Sequence, residues 1–134
     1  MKVKVITKIT DNIAYYISNS GEKTITYPGL KLGEEYDVYA LCSVITHNLT
    51  MYLVKLDHGG YEFVSSGAFR VIDNTIDSHW VKKKMNVFTT NDEIQSFEMI
   101  IDDRNHLEDL LFRENYMIEK FEEYIKSIGY KIYY

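Results

Sequence analysis

A chain of 134 residues has room for one domain with a modest core, and it argues against two independent folding units. An apolar fraction of 46%, a single proline and seven glycines argue against disorder and low complexity. The net charge of −5 is split unevenly, with ten Lys/Arg against nine Asp/Glu in residues 1–86 and five against eleven in residues 87–134. That is a poor footprint for a nucleic-acid binder and points to a protein partner with a basic surface.

No run of about 18 apolar residues exists, and Met1 to Lys8 lacks the apolar stretch of a secretory signal, so a cytoplasmic protein that does not enter a membrane is expected. From Met1 to Asp73, turn signals recur every eight to twelve residues between runs rich in Val, Ile, Thr and Tyr. Lys2 to Ile9 alternates polar and apolar, as a strand with one buried face does. Asp11-Asn12 offers a turn, Ile13 to Ser18 a return strand, and Asn19-Ser20-Gly21 a loop. Thr24 to Tyr27 is a short strand ended by Pro28-Gly29, a pair suited to a type II turn.

Strands are predicted again over Glu35–Ile45, Met51–Leu56, Tyr61–Val64 and Phe69–Ile72, with Asp57-His58-Gly59-Gly60 as a tight hairpin. Cys42, in an apolar run, reads as a buried free thiol. Asn74 to Lys84 reads as a connector with room for one helical turn. Residues 94–101 fit both strand and helix spacing, and the alternation over Ser96–Ile100 favours strand. From Asp103 to Ile128, apolar residues recur at three- and four-residue spacing, which predicts amphipathic helices capped by Asp102 or Asp103 and ended by Gly129. Lys131 to Tyr134 could add an edge strand. The reading is an α+β single domain over 1–134: a small antiparallel β-barrel or bent sheet (1–73), a connector that could hold one strand (74–102), and a C-terminal helical segment (103–128).

The run Gly29-Leu30-Lys31-Leu32-Gly33-Glu34-Glu35-Tyr36-Asp37-Val38 resembles the Gly-Leu-x-x-Gly-x-x-Tyr-x-Val opening of an SH3-like barrel in small bacterial and phage proteins. The resemblance continues through Met51–Asp57 and Phe69–Asp73, covers about a third of the chain, and implies the barrel more than a function. Ile76-Asp77-Ser78-His79-Trp80-Val81 followed by Leu107-Glu108-Asp109 resembles uncharacterised bacterial proteins of toxin-immunity neighbourhoods.

Residues for catalysis are scarce. His47, His58, His79 and His106 lack paired-ligand spacing, so neither a metal nor a cofactor is expected. Asp103 beside His106 reads as helix capping, and Ser65-Ser66-Gly67 is no nucleophile elbow. Lys82-Lys83-Lys84 beside Trp80 is too small a patch to outweigh the acidic balance. Twelve tyrosines stand out, a residue type suited to interfaces and to half-buried sheet surfaces alike.

The function these features favour is a non-catalytic protein-binding inhibitor or immunity-type protein acting through an acidic, tyrosine-rich surface. Its expected contacts are Glu108, Tyr116, Glu119, Glu122 and Glu123, on the helical faces opposite Leu107, Leu111, Phe121 and Ile125. A β-sheet face around Tyr39 and Tyr52 is the alternative location. The alternative function is a small enzyme or nucleotide-binding protein with a pocket between barrel and helices, and oligomeric state stays open.

Overall fold

The computed structural model of the chain describes residues 1–11 and 24–129. Its strands are β1 (Lys2–Val5), β2 (Ile9–Asp11), β3 (Thr24–Thr26), β4 (Glu35–Asp37), β5 (Ala40–Val44), β6 (Leu49–Lys55), β7 (Tyr61–Ser65), β8 (Phe69–Asp73), β9 (Trp80–Met85) and β10 (Asp92–Phe97). Three helices follow: α1 (Glu98–Ile101), α2 (Arg104–Leu111) and α3 (Asn115–Ser127). The return strand predicted at Ile13–Ser18, the loop at Asn19–Gly21 and the strand at Lys131–Tyr134 fall outside the described residues. None of the described helices is long and apolar enough to cross a membrane.

The architecture is α+β, and its strand pairings are antiparallel. The described strands make three sheets, in the orders β4-β1-β8, β7-β6-β5-β10-β9 and β2-β3. They do not close into a barrel. β5 pairs with β10 on the side away from β6, so the largest sheet extends through the β9–β10 hairpin.

That hairpin corrects the connector predicted over residues 74–84, because Trp80–Met85 is a strand at a sheet edge. A run of three lysines obscures the alternation, yet an edge is where lysines are tolerated in a sheet. The alternation over Ser96–Ile100 holds only as far as Phe97, after which the chain turns into α1. Both periodicities are real, since Ile94 and Phe97 are buried from the strand and Ile100 and Ile101 from the helix.

The buried apolar side chains form one cluster that joins the sheets to the helices. Ala40, Cys42 and Val44 point inward from β5, and Val38 just after β4 is fully buried. Leu107, Leu110, Met117, Phe121 and Ile125 join the same cluster from α2 and α3, while Leu111 is only half-buried. Edge-to-face aromatic contacts run from Tyr39 to Tyr61 (5.3 Å between ring centres) and from Tyr61 to Phe121 (5.3 Å). A tilted contact joins Phe121 to Phe97, and Phe97 meets Trp80 edge-to-face. Such pairs add roughly 0.5–1.5 kcal/mol each beyond area burial, so this chain of rings is a main tie between sheet and helix.

Local signals hold at the helix ends. The Asp103 carboxylate accepts from the Asn105 N–H at 2.9 Å, and Gly129 adopts a φ of 89° after α3. The Pro28-Gly29 turn departs from expectation. It closes by Leu30 N–H to Tyr27 O at 3.2 Å, but Gly29 does not take the positive φ of a type II turn. Glycine is needed there for close approach, because a Cβ would lie 2.9 Å from the Leu56 Cβ.

Candidate functional site

The link between α2 and α3 is only three residues long, and Arg113 reverses the chain with a φ of 61°. Phe112 is 76% exposed and Tyr116, in the first turn of α3, is 57% exposed. Phe112, with Val87, Leu107 and Leu111, lines a groove of about 290 Å³ whose polar residues include Arg104 and Glu108. Glu108 is half-exposed and accepts from Arg104 Nε at 3.1 Å, an i,i+4 pair on α2.

Four of the five expected contact residues therefore reach solvent at least in part: Glu108, Tyr116, Glu119 and Glu123. Tyr116, Glu119 and Glu123 share one stripe of α3, at spacings of three and four residues. Lys120 and Lys126 are exposed on the same helix, so this face is less acidic than the segment as a whole.

Glu122 is the exception and corrects the expectation of an outward-facing carboxylate. It is only 8% exposed, and its Oε2 accepts from Lys55 Nζ and from the Tyr61 hydroxyl, both at 2.7 Å. Position 122 lies four residues after Ile118 and three before Ile125, inside the buried arc of the helix. That spacing could have exposed the error, although nothing in the sequence names Lys55 and Tyr61 as partners. The alternative location around Tyr39 and Tyr52 is also corrected, since both rings are buried in the core. Phe112, the most exposed of the large apolar side chains among the described residues, was missed because it ends its helix and so has no place in the periodic pattern.

A second concavity, of about 790 Å³, opens between β4 and the β6–β7 turn. Its walls include Tyr36, whose hydroxyl donates to Asp57 Oδ1 at 3.0 Å and accepts from the Lys31 N–H at 3.1 Å. Burial, reinforced by the Asp57 carboxylate, pushes the Tyr36 phenol up to about 12 against the opposing Lys31 bond, and it stays neutral. Burial also raises the carboxyl of Asp37, which has no hydrogen-bond partner among the described residues. At one end, His58 Nδ1 accepts from the Gly60 N–H at 3.1 Å, and His58 Nε2 stands 3.3 Å from Arg113 Nη2. The turn that borders the cleft therefore touches the helical corner.

The remaining candidates are structural. Cys42 is buried, and desolvation together with the Asp92 charge pushes its thiol up to about 12, far from a reactive thiolate. Asp92, fully buried, accepts from the backbone N–H groups of Val87, Phe88 and Thr89 and from the Thr89 hydroxyl, which ties the loop before β10. Trp80 is buried edge-on against Phe97, so its ring offers no open face for stacking on a base. His79 pairs with Asp77 at 2.9 Å, and His106 stands 2.7 Å from the Met99 carbonyl and 3.6 Å from Asp103. Among the described residues no group of three His, Cys, Asp or Glu side chains could hold a metal ion. Comparison with protein-family models, curated proteins and solved structures finds no match to this chain.

Proposed function

We propose that this chain is a non-catalytic protein-binding module of the inhibitor or immunity type, working in the cytoplasm on a partner with a basic surface. The observation that carries the proposal is the exposed Phe112 on the edge of an apolar groove, with Tyr116 exposed in the first turn of α3, within the segment of greatest negative charge. Aromatic anchors in a polar setting are the composition of interface hot spots, while scattered aliphatic residues on a surface need no partner. Glu119 and Glu123 on the same stripe favour approach of a positive surface, an effect that fades as salt rises. The resemblance of Gly29–Val38 to SH3-like proteins belongs to the same reading, supported by Gly33 at a φ of 81° just before β4.

The test is affinity capture from the source cell with the native chain, the double variant Phe112→Ser/Tyr116→Ser, and Lys83→Glu on β9, which does not line the groove, as a control. The reading expects a partner held by the native and Lys83→Glu proteins and lost by the double variant. Hydrogen exchange in the complex should then protect residues 104–123. Equal capture by all three would refute the location, and the captured protein's activity with and without the chain decides whether the module inhibits.

The cleft of about 790 Å³ favours a second reading, a small-molecule binding protein or enzyme, since its volume lies in the range of pre-formed ligand sites. Its polar groups are weaker support. Tyr36, Lys31 and Asp57 are engaged with one another, and no nucleophile with an adjacent base lies among them.

A further inference from the structure

We propose that Arg113 is a positioning residue for the corner that carries Phe112 and Tyr116: its side chain, seated on Gly60 and against His58, holds that corner in one arrangement. The inference rests on the protein-binding reading above. The backbone of the corner is of a kind that glycine ordinarily closes. The Glu114 N–H donates to the Asp109 carbonyl at 3.0 Å and the Arg113 N–H to the Leu110 carbonyl at 3.2 Å, the paired bonds of a helix end whose turning residue is left-handed. After α3 the residue with that conformation is Gly129, at a φ of 89°. After α2 it is Arg113, at 61°, although a side chain makes this conformation unfavourable. An arginine in a glycine's place calls for a compensating contact.

That contact lies on the β6–β7 turn. Gly60 is buried although Asp57 and His58 in the same turn are exposed, and its φ is not positive, so its own backbone does not require glycine. The approach of two side chains requires it: a Cβ at position 60 would lie 2.8 Å from Arg113 Nε and 2.8 Å from His58 Cε1. The guanidinium reaches past Gly60 to place Nη2 3.3 Å from His58 Nε2. The Gly60 N–H donates to His58 Nδ1 at 3.1 Å and the Leu56 N–H to the Gly60 carbonyl at 2.8 Å, so imidazole and seat belong to one tied turn. One contact thus accounts for two exceptions, a left-handed arginine and a glycine that its own φ does not ask for. Phe112 directly precedes Arg113 and Tyr116 follows three residues later, so what fixes Arg113 fixes how the two rings are offered. A surface held in its binding arrangement loses less freedom when a partner arrives.

Amide hydrogen exchange of the whole chain, read residue by residue by NMR, tests the contact without a partner. Arg113→Gly removes the side chain and suits the backbone better, so the two accounts of this corner predict opposite signs. With the side chain as its hold, protection of the Phe112 and Glu114 amides should fall by about tenfold in Arg113→Gly while that of β5 and β6 stays as in the native chain. With an ordinary helix end, glycine leaves protection equal or raises it, and that result would overturn the proposal. Gly60→Ala, which displaces the flexible end of Arg113, should lower protection at the same two amides, and unchanged protection there also counts against the seat. Where Gly60→Ala disturbs folding, His58→Ala on the exposed side of the turn gives the same readout. Capture from the source cell then joins the corner to binding. Arg113→Gly keeps both rings and should release the captured protein about tenfold faster than the native chain does. Loss of a positive charge would by itself favour a basic partner, so charge does not explain such a loss. Equal release by Arg113→Gly would overturn the positioning role. Failure of the native chain to capture anything sinks the protein-binding reading, whereas exchange decides whether Arg113 holds the corner, so the two failures are told apart.

Discussion

Replacing Glu122 by alanine removes a carboxylate that holds α3 to β6 and β7 through two bonds of 2.7 Å. The Tyr61 hydroxyl, on a side chain only 1% exposed, then has lost an acceptor, at a cost of about 1–3 kcal/mol. The Lys55 ammonium loses its counter-charge, and breaking a buried pair by removing one partner costs roughly 3–5 kcal/mol. Lys55 keeps 14% side-chain exposure and can regain water, so its share falls below that range, to about 1–2 kcal/mol, and the whole change comes to about 3 kcal/mol. For a chain of this length that is roughly 10 °C in Tm. Urea and thermal unfolding followed by circular dichroism would measure it, with Glu119→Ala and Glu123→Ala as exposed controls that should shift Tm by no more than about 2 °C. A Glu122→Ala Tm equal to those of the controls would refute the inward placement of this side chain. A Glu122→Ala/Lys55→Met double cycle should show coupling of roughly 1–3 kcal/mol.

Val38→Asp places an unpaired carboxylate in the core at a cost of several kcal/mol, and a cooperatively folding variant by thermal melt would count against the register of β4. Gly29→Ala forces its new methyl against Leu56 and should lower stability by roughly 1–3 kcal/mol, whereas Gly67→Ala, with nothing closer than 3.7 Å, should not. Urea midpoints of both variants decide this. Stability should fall as pH rises above 9, because the folded chain keeps protons on Cys42 and Tyr36 up to about 12 while the unfolded chain releases them near the ordinary values of 9.0 and 10.0. The contribution of both groups is complete below pH 9 and lost progressively towards pH 12. Iodoacetamide labelling of Cys42 at pH 9 should accordingly be slow in the folded protein and fast in urea, and equal rates would refute its burial.

Much of the element order was legible in the sequence because it rests on short-range chemistry. Alternation placed β1, runs of β-formers placed β6 to β8, and three- and four-residue spacing placed the inner faces of α2 and α3. Asp103 and Gly129 marked helix ends because capping and positive φ are decided within a few residues. Single-sequence reasoning failed where a distant partner settles the outcome. Lys82-Lys83-Lys84 became a strand because β10 pairs with it. The same β10 pairs with β5 and extends the largest sheet beyond it. Glu122 turned inward because a lysine 67 residues earlier and a tyrosine 61 residues earlier are there to meet it. Phe112 stands in solvent at the three-residue corner between α2 and α3. The sequence by itself thus determined where strands and helices form and how charge is divided along the chain, since periodicity, propensity and residue type are local properties. Only the tertiary structure decided which carboxylates face water, which tyrosines are core, and where a cleft opens, since those outcomes depend on side chains that folding alone brings within a few ångströms of one another.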